Sequence, residues 1–162
     1  GNSEAAQKYY SEIFSIDSAL RNLNQDYNST LTSVLDHSVA EFEQKYNYIE
    51  TVMKNTESIM NDDTKSYSVR NKALIDQISN VTTAIAQQQE QREKLVREFN
   101  ESGIQPDTEE WYKWLQQVQA CDDTILDLQE QSRSLNKQKF DDIKTQFENI
   151  NNIISESLTF TR

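Results

Sequence analysis

Residues that commonly end helices and strands are nearly absent from this chain. Its 162 residues include two Gly and one Pro, whereas average composition would supply roughly 11 Gly and 8 Pro. A β-sandwich or barrel needs a turn about every 8–12 residues, and a doubly wound sheet needs glycine-rich connections. The scarcity argues against both architectures and leaves long helices or a disordered polar chain.

The spacing of the apolar residues favours helices over disorder. From Tyr9 to Met53 they recur at steps of three and four, which places them on one helix face. Between Leu23 and Val39 the steps become repeated fours, a stutter that locally unwinds a supercoil. This stretch is also rich in Asn, Ser and Thr, which are poor in helix interiors. The pattern predicts one helix, with a kink or break expected near residue 28 if anywhere.

Two polar turns separate this helix from two more. Residues 61–64 read Asn-Asp-Asp-Thr and provide good N-cap candidates. Gly103 is placed to be a left-handed residue at a helix end, and Asp107 with Glu110 forms an Asp-x-x-Glu capping box. The predicted helices are about 4–60, 65–101 and 108–157.

The order and lengths of the helices predict the architecture. Short connections make neighbouring helices antiparallel, so we expect an all-α fold: one unit over residues 1–162, built as an elongated antiparallel three-helix coiled-coil bundle. Because the second helix is the shortest, the outer two should project from opposite ends. Each projection carries an apolar stripe, which folding back or pairing with another chain would cover.

Charge and hydropathy bear on the class of partner. The net charge is −11, and no basic block offers the Lys and Arg that phosphate backbones require. There is no basic amphipathic face for a membrane surface and no apolar run of about 20 residues. We expect protein partners, with no nucleic acid and no membrane contact.

The chain offers little for catalysis. It contains one histidine, His37, and one cysteine, Cys121; the cysteine fits the apolar seam of the third helix, so a buried structural thiol is favoured over a nucleophile. Metal-ligand spacings such as Cys-x-x-Cys, His-x-x-x-His and Glu-x-x-His are absent. The prediction is a protein that is not an enzyme, with no catalytic, cofactor-binding or metal-binding residues.

Large apolar side chains are the candidates for protein interaction. Trp111 and Trp114 lie three residues apart at the start of the third helix. They are typical of an interaction hot spot, but the favoured alternative is that they clamp the preceding turn against Phe99. The full set of candidate interaction residues is Trp111, Trp114, Phe147, Ile150, Ile154, Tyr9 and Ile13.

An apolar pattern occurs twice, 101 residues apart. Val39-x-x-Phe42-x-x-x-Tyr46-x-x-Ile49-x-x-Val52-Met53 is similar to Phe140-x-x-Ile143-x-x-x-Phe147-x-x-Ile150-x-x-Ile153-Ile154. The aromatic residue falls at the same step in both. Such self-similarity at a fixed offset suggests an elongated repeating array of which this chain covers little more than one unit.

One segment resembles a known family. Residues 103–112 read Gly-Ile-Gln-Pro-Asp-Thr-Glu-Glu-Trp-Tyr and resemble the G-I-x-x-x-(S/T)-x-E-W-Y segment of tail tape measure proteins of tailed phages and prophages of Gram-positive bacteria. The long helix that follows, the Phe-Asp-x-Ile element at residues 140–143, the aromatic-x-x-Ile run at residues 147–150 and the opening Tyr-Tyr-x-x-Ile at residues 9–13 are also similar to that family.

The resemblance implies a structural role. It implies a helical ruler or scaffold in tail assembly, located in the virion tail and assembled in the bacterial host cytoplasm. The implied partners are tail-tube or tail-assembly proteins, with self-association. Tape measure proteins usually contain membrane-spanning segments, which this chain lacks. The alternative function is a bacterial surface or secreted coiled-coil module that acts as an interaction or spacer element.

Overall fold

The computed structural model describes residues 1–161, with side chains described through residue 159. Within that range the chain forms three helices and no strand: α1 is Asn2–Met60, α2 is Tyr67–Ser102 and α3 is Glu109–Thr161. The predicted all-α fold with three helices is therefore confirmed. All three helices pack together as a bundle.

Helix α1 runs without interruption through residue 28, as the prediction of a single first helix requires, and there is no break at that position. The Thr30 hydroxyl donates to the carbonyl of Asp26 at 2.9 Å, which gives a residue of weak helix propensity a partner within the helix. The next turns are anchored, because Leu31 and Leu35 are buried against the other helices. Tertiary contacts of this kind outweigh small losses in helix propensity.

The turn between α1 and α2 is closed by two different side chains. The Asp62 carboxylate accepts hydrogen bonds from the backbone N–H of Thr64 at 2.9 Å and from its hydroxyl at 2.6 Å. The helix N-cap is Ser66, whose hydroxyl accepts from the Val69 N–H at 3.3 Å. The cap thus lies two residues beyond the predicted polar turn at residues 61–64.

The turn between α2 and α3 contains the predicted left-handed glycine. Gly103 has φ 67°, as expected for a glycine that ends a helix. The capping box predicted at Asp107 is wrong by one residue: the Thr108 hydroxyl accepts from the Trp111 N–H at 3.2 Å. Asp107 lies outside the helix with φ 64°, and its carboxylate accepts from the Tyr112 hydroxyl at 2.9 Å instead.

The central helix α2 contacts both outer helices extensively, whereas α1 and α3 contact each other much less. The core has two clusters, one toward each turn. The first contains Leu31, Leu35, Leu95, Trp114 and Cys121. The second contains Tyr46, Ile49, Val81, Ala84 and Leu128. Each cluster therefore combines residues from all three helices.

Hydrogen bonds and ion pairs between the helices define how the helices overlap. Along α1 the partner's number in α2 falls as the α1 number rises; the pairs are Tyr27 with Ser102, Lys45 with Glu90, and Met53 with Gln77. Between α2 and α3 the pairs are Leu95 with Trp114 and Arg92 with Asp122. Because Ser102 is the last residue of α2, the part of α1 before Tyr27 extends past the end of α2.

Candidate interaction surfaces

Two helical segments extend beyond the bundle, and we call them the α1 arm (residues 2–27) and the α3 arm (residues 140–161). At about 1.5 Å per residue they are roughly 39 Å and 33 Å long. The α1 arm exposes a continuous set of apolar side chains: Tyr9, Tyr10, Ile13, Phe14, Ile16, Leu20, Leu23 and Tyr27. Contiguous exposed apolar side chains are typical of interaction surfaces, which makes this arm a candidate.

The α3 arm exposes a second apolar surface. Its side chains are Phe140, Ile143, Phe147, Ile150, Ile153, Ile154 and Leu158. Most of them follow steps of three and four, so they lie along one helix face. That face continues the α3 seam that packs into the core at Leu128 and Leu135. The arm therefore extends a surface that is already used for packing.

The structure places the predicted interaction residues in separate regions. Tyr9 and Ile13 lie on the α1 arm, whereas Phe147, Ile150 and Ile154 lie on the α3 arm, and all five are exposed. The two arms extend past opposite ends of α2, so the structure does not bring these two groups together. Two further exposed residues of the α1 arm, Tyr10 and Phe14, are not among the predicted interaction residues. Both lie outside the three–four seam, so seam spacing alone gives no signal for them.

The two tryptophans lie at the α2–α3 turn. Trp114 is 1% exposed, and its indole N–H donates to the carbonyl of Leu95 at 2.9 Å. The ring centroid of Phe99 lies 6.4 Å from that of each tryptophan. Trp111 is half-buried and meets the Tyr112 ring edge-on at 4.8 Å. This geometry agrees with a clamp on the turn, and Trp114 is not presented to a partner.

The sole cysteine of the sequence is buried in the first core cluster. Burial is the main cause that raises the pKa of the Cys121 thiol, with the nearby Asp122 carboxylate adding to it and Arg92 acting in the opposite direction. A raised pKa keeps the sulfur protonated, whereas a nucleophilic cysteine needs a lowered pKa. His37 is exposed, with its Nε2 3.7 Å from a Glu41 carboxylate oxygen. The two residues thus occupy different environments.

A polar groove lies between α1 and α2, with a volume of about 640 Å³. Its walls carry charges of both signs, including Glu41, Lys45 and Lys94. Three buried polar atoms line it without a hydrogen-bond partner: the Ser38 hydroxyl oxygen, the Gln87 side-chain oxygen and the Gln91 side-chain nitrogen. Its mixed charge makes this groove a weaker candidate than the arms.

Metal and membrane sites are not found in the described part of the chain. Among residues 1–161, no group of three or more His, Cys, Asp and Glu side chains is arranged to hold a metal ion. None of the described helical segments combines the length and hydropathy needed to cross a membrane.

The fold and its exposed surfaces define a class of protein: a rod of long helices whose ends carry apolar arms. Comparison of the chain with protein families, with curated proteins and with solved structures finds no match.

Proposed function

We propose that this chain is a non-enzymatic structural segment of a phage or prophage tail tape measure protein, in which it acts as a helical ruler and scaffold during tail assembly. In this proposal the segment is an elongated antiparallel three-helix coiled coil. Its place is the virion tail, assembled in the cytoplasm of the bacterial host.

The observation that carries the proposal is the length of α1. It is a single helix of 59 residues, which corresponds to about 88 Å at 1.5 Å per residue. A helix converts residue number into length at a fixed rate, which is the property a ruler needs. The arms extend the rod past the ends of α2, so length is not limited by the shortest helix.

The order of cross-helix pairs supports the antiparallel coiled coil. Lys45 pairs with Glu90 and Met53 with Gln77, which is the order of pairs expected of two helices that run in opposite directions. Buried positions on α1 include Leu31, Leu35 and Ile49, and they fall on the three–four seam that a coiled coil requires.

The segment that resembles the family has a clear structural role at the α2–α3 turn. Gly103 supplies the left-handed residue, Thr108 caps α3, and Trp111 packs against Phe99. Each of the residues that the resemblance shares at these positions thus helps to reverse the chain. This supports a rod that folds back at defined points.

Protein partners follow from the arms and the charge. The exposed apolar faces suit tail-tube or tail-assembly proteins and self-association. The net charge of −11 would keep the rod from binding DNA that later passes through the tail tube, because like charges repel.

Deleting whole helical repeats from the parent gene tests the ruler. Tails measured by electron microscopy should shorten by about 1.5 Å per helical residue removed. A matched control replaces the same segment by an unrelated heptad sequence of equal length, which should leave tail length unchanged. Tails of unaltered length after deletion would contradict the ruler and favour the surface or secreted spacer. Genes for tail-tube and baseplate proteins beside the parent gene would support the first function, and an anchor or secretion signal the second.

A further inference from the structure

The repeated pattern lies once inside the bundle and once outside it. The corresponding residues, 101 positions apart, are Val39 and Phe140, Phe42 and Ile143, Tyr46 and Phe147, Ile49 and Ile150, Val52 and Ile153, and Met53 and Ile154. The first member of each pair belongs to α1 within the bundle, and the second belongs to the α3 arm. The structure therefore shows one such face covered and one uncovered.

The two faces differ in burial although their sequences are alike. Tyr46 and Ile49 are buried, at 7% and 6% exposed, whereas Phe147 and Ile150 are 63% and 54% exposed. What covers the α1 face is mainly α2, which contributes Val81 and Ala84 to the shared core cluster. Both are fully buried, and such small side chains let neighbouring helices approach closely. The bundle itself thus shows what kind of helix fits this pattern.

The contacts between the helices favour an α2-like helix over the α1 arm of a second copy as the occupant of the α3 arm. In the bundle, α1 and α3 each contact α2 extensively and contact each other little. Placing the α1 arm of another copy against the α3 arm would reproduce the weaker of these contacts. An α2-like helix would reproduce the stronger one.

A hydrogen bond from an α2 side chain to the α1 backbone is compatible with the same occupant. The Gln77 side-chain amide donates to the backbone carbonyl of Met53 at 2.9 Å. Because the acceptor belongs to the backbone, the same bond can form at Ile154, the counterpart of Met53. The change from Met to Ile leaves that acceptor in place.

Residues of the α1 arm also correspond, at the same offset of 101 positions, to residues of α3 inside the bundle. Tyr10, Ile13, Leu20 and Tyr27 stand 101 residues before Trp111, Trp114, Cys121 and Leu128. The last three of these are buried in the bundle, while their counterparts on the arm are exposed. The correspondence fails at Asp17 and Asn24, which stand opposite Val118 and Ile125. The α3 arm is therefore the better surface for a test.

We propose that the α3 arm is the first helix of a second three-helix bundle, and that its apolar face receives an α2-like helix that follows in the same polypeptide. Helix α3 is then shared by two successive bundles whose equivalent residues lie 101 positions apart. This goes beyond the proposed function, because it holds or fails on the isolated chain whatever the rod measures.

An extended chain tests the proposal directly. Residues Asn61–Gln91 are appended after Thr161, which is the counterpart of Met60, so the new segment follows the arm as α2 follows α1. The appended helix should fold back on the arm. Amide hydrogen exchange over residues 143–158 should slow by about tenfold or more, since exchange there must then wait for local unfolding. Trypsin cleavage after Lys144 should slow in parallel, and light scattering should report a monomer.

A matched control carries Val81→Asp and Ala84→Asp within the appended segment only. It should leave exchange and cleavage in the arm as fast as in the original chain, because charged residues cannot cover the apolar face. Equal arm protection in the intact and control extensions, or none in either, would overturn the proposal. So would an original chain that is already dimeric with a protected α3 arm, because a second copy would then be the occupant. Tail length enters none of these measurements.

Discussion

The indole N–H of Trp114 donates a hydrogen bond of 2.9 Å to the carbonyl of Leu95, and it joins α3 to α2 one helical turn before Phe99. Both residues are almost fully buried, and they share a core cluster with Leu31 and Leu35 of α1. This pair therefore ties all three helices together near the α2–α3 turn.

Replacing Trp114 should be among the most destabilising single changes in the chain. Trp114→Ala removes a buried indole and should lower the free energy of unfolding by about 3–5 kcal/mol. Trp111→Ala, at a half-buried ring three residues earlier, should cost clearly less. Urea unfolding followed by circular dichroism measures both. A larger loss for Trp111→Ala would contradict the clamp formed by Trp114.

The small size of Ala84 should be required where α2 meets its neighbours. Ala84 is fully buried among Tyr46, Ile49 and Leu128, so Ala84→Leu should overpack the site and cost about 1–3 kcal/mol. Ala86 is exposed on the same helix, and Ala86→Leu should change stability by no more than about 0.5 kcal/mol. Thermal and urea unfolding of the two variants provide the comparison. Equal effects would show that α2 does not pack as described.

Gly103 should be needed for its backbone conformation and not for its small size. Its φ is 67°, and an added Cβ would meet only the Tyr27 hydroxyl at 3.8 Å, an ordinary contact. Gly103→Ala should cost about 1–2 kcal/mol because other residues resist the left-handed conformation. Gly103→Asn should cost less, since Asn adopts that conformation more readily. The order of the two unfolding midpoints checks this, and a reversed order would count against it.

Ile49 and Ile150 form a matched pair because they hold equivalent positions in the repeated pattern. Ile49→Ala should cost about 2–5 kcal/mol, since Ile49 is buried in the second core cluster. Ile150→Ala should stay within about 0.5 kcal/mol, because its side chain is exposed. Unfolding is measured at low protein concentration, where association is weakest. A large loss at Ile150 would show that the arm is covered in solution.

Cys121 should make the fold less stable at alkaline pH. Burial raises the pKa of its thiol in the folded chain, so the unfolded chain loses this proton first as the pH rises. The contribution is complete below the ordinary pKa of about 8.5 and is lost as the pH rises from there through the folded pKa. Its slope is at most about 1.4 kcal/mol per pH unit.

Cys121→Ala lacks this titration and should lose less stability between pH 8 and pH 10. Denaturation at several pH values gives both slopes. Tyr46, whose pKa is also raised mainly by burial, is present in both chains and serves as an internal control. Parallel slopes for the two proteins would mean that the thiol does not titrate as described.

The helix ends show where sequence reasoning loses precision. The seam spacing and the turn residues place the helices within a few residues of their ends, and Gly103 is found in the predicted conformation. The caps shift by one or two residues, to Ser66 and Thr108. Several adjacent residues in each turn can cap a helix, and which of them does so depends on how each helix is rotated against its neighbours. The spacing of residues along the chain does not specify that rotation.

The candidate surfaces show a different limit. Residues such as Tyr9 and Phe147 were identifiable because they belong to long apolar seams. The seam spacing is the same in the bundle and on the arms. It therefore does not show where a helix leaves its neighbours and its apolar face becomes exposed. Near residue 28 the seam predicted one helix while the weak helix formers left a break open, and buried contacts at Leu31 and Leu35 hold α1 intact.

The all-helical fold follows from the sequence alone, because three–four spacing and the lack of turn-forming residues are local properties that act within one helix. Which parts of the seams are covered depends on tertiary packing. Ile49 and Ile150 stand in the same local pattern, yet one is buried and the other is exposed. The difference arises because burial requires a neighbouring helix, and α2 is shorter than the two helices beside it.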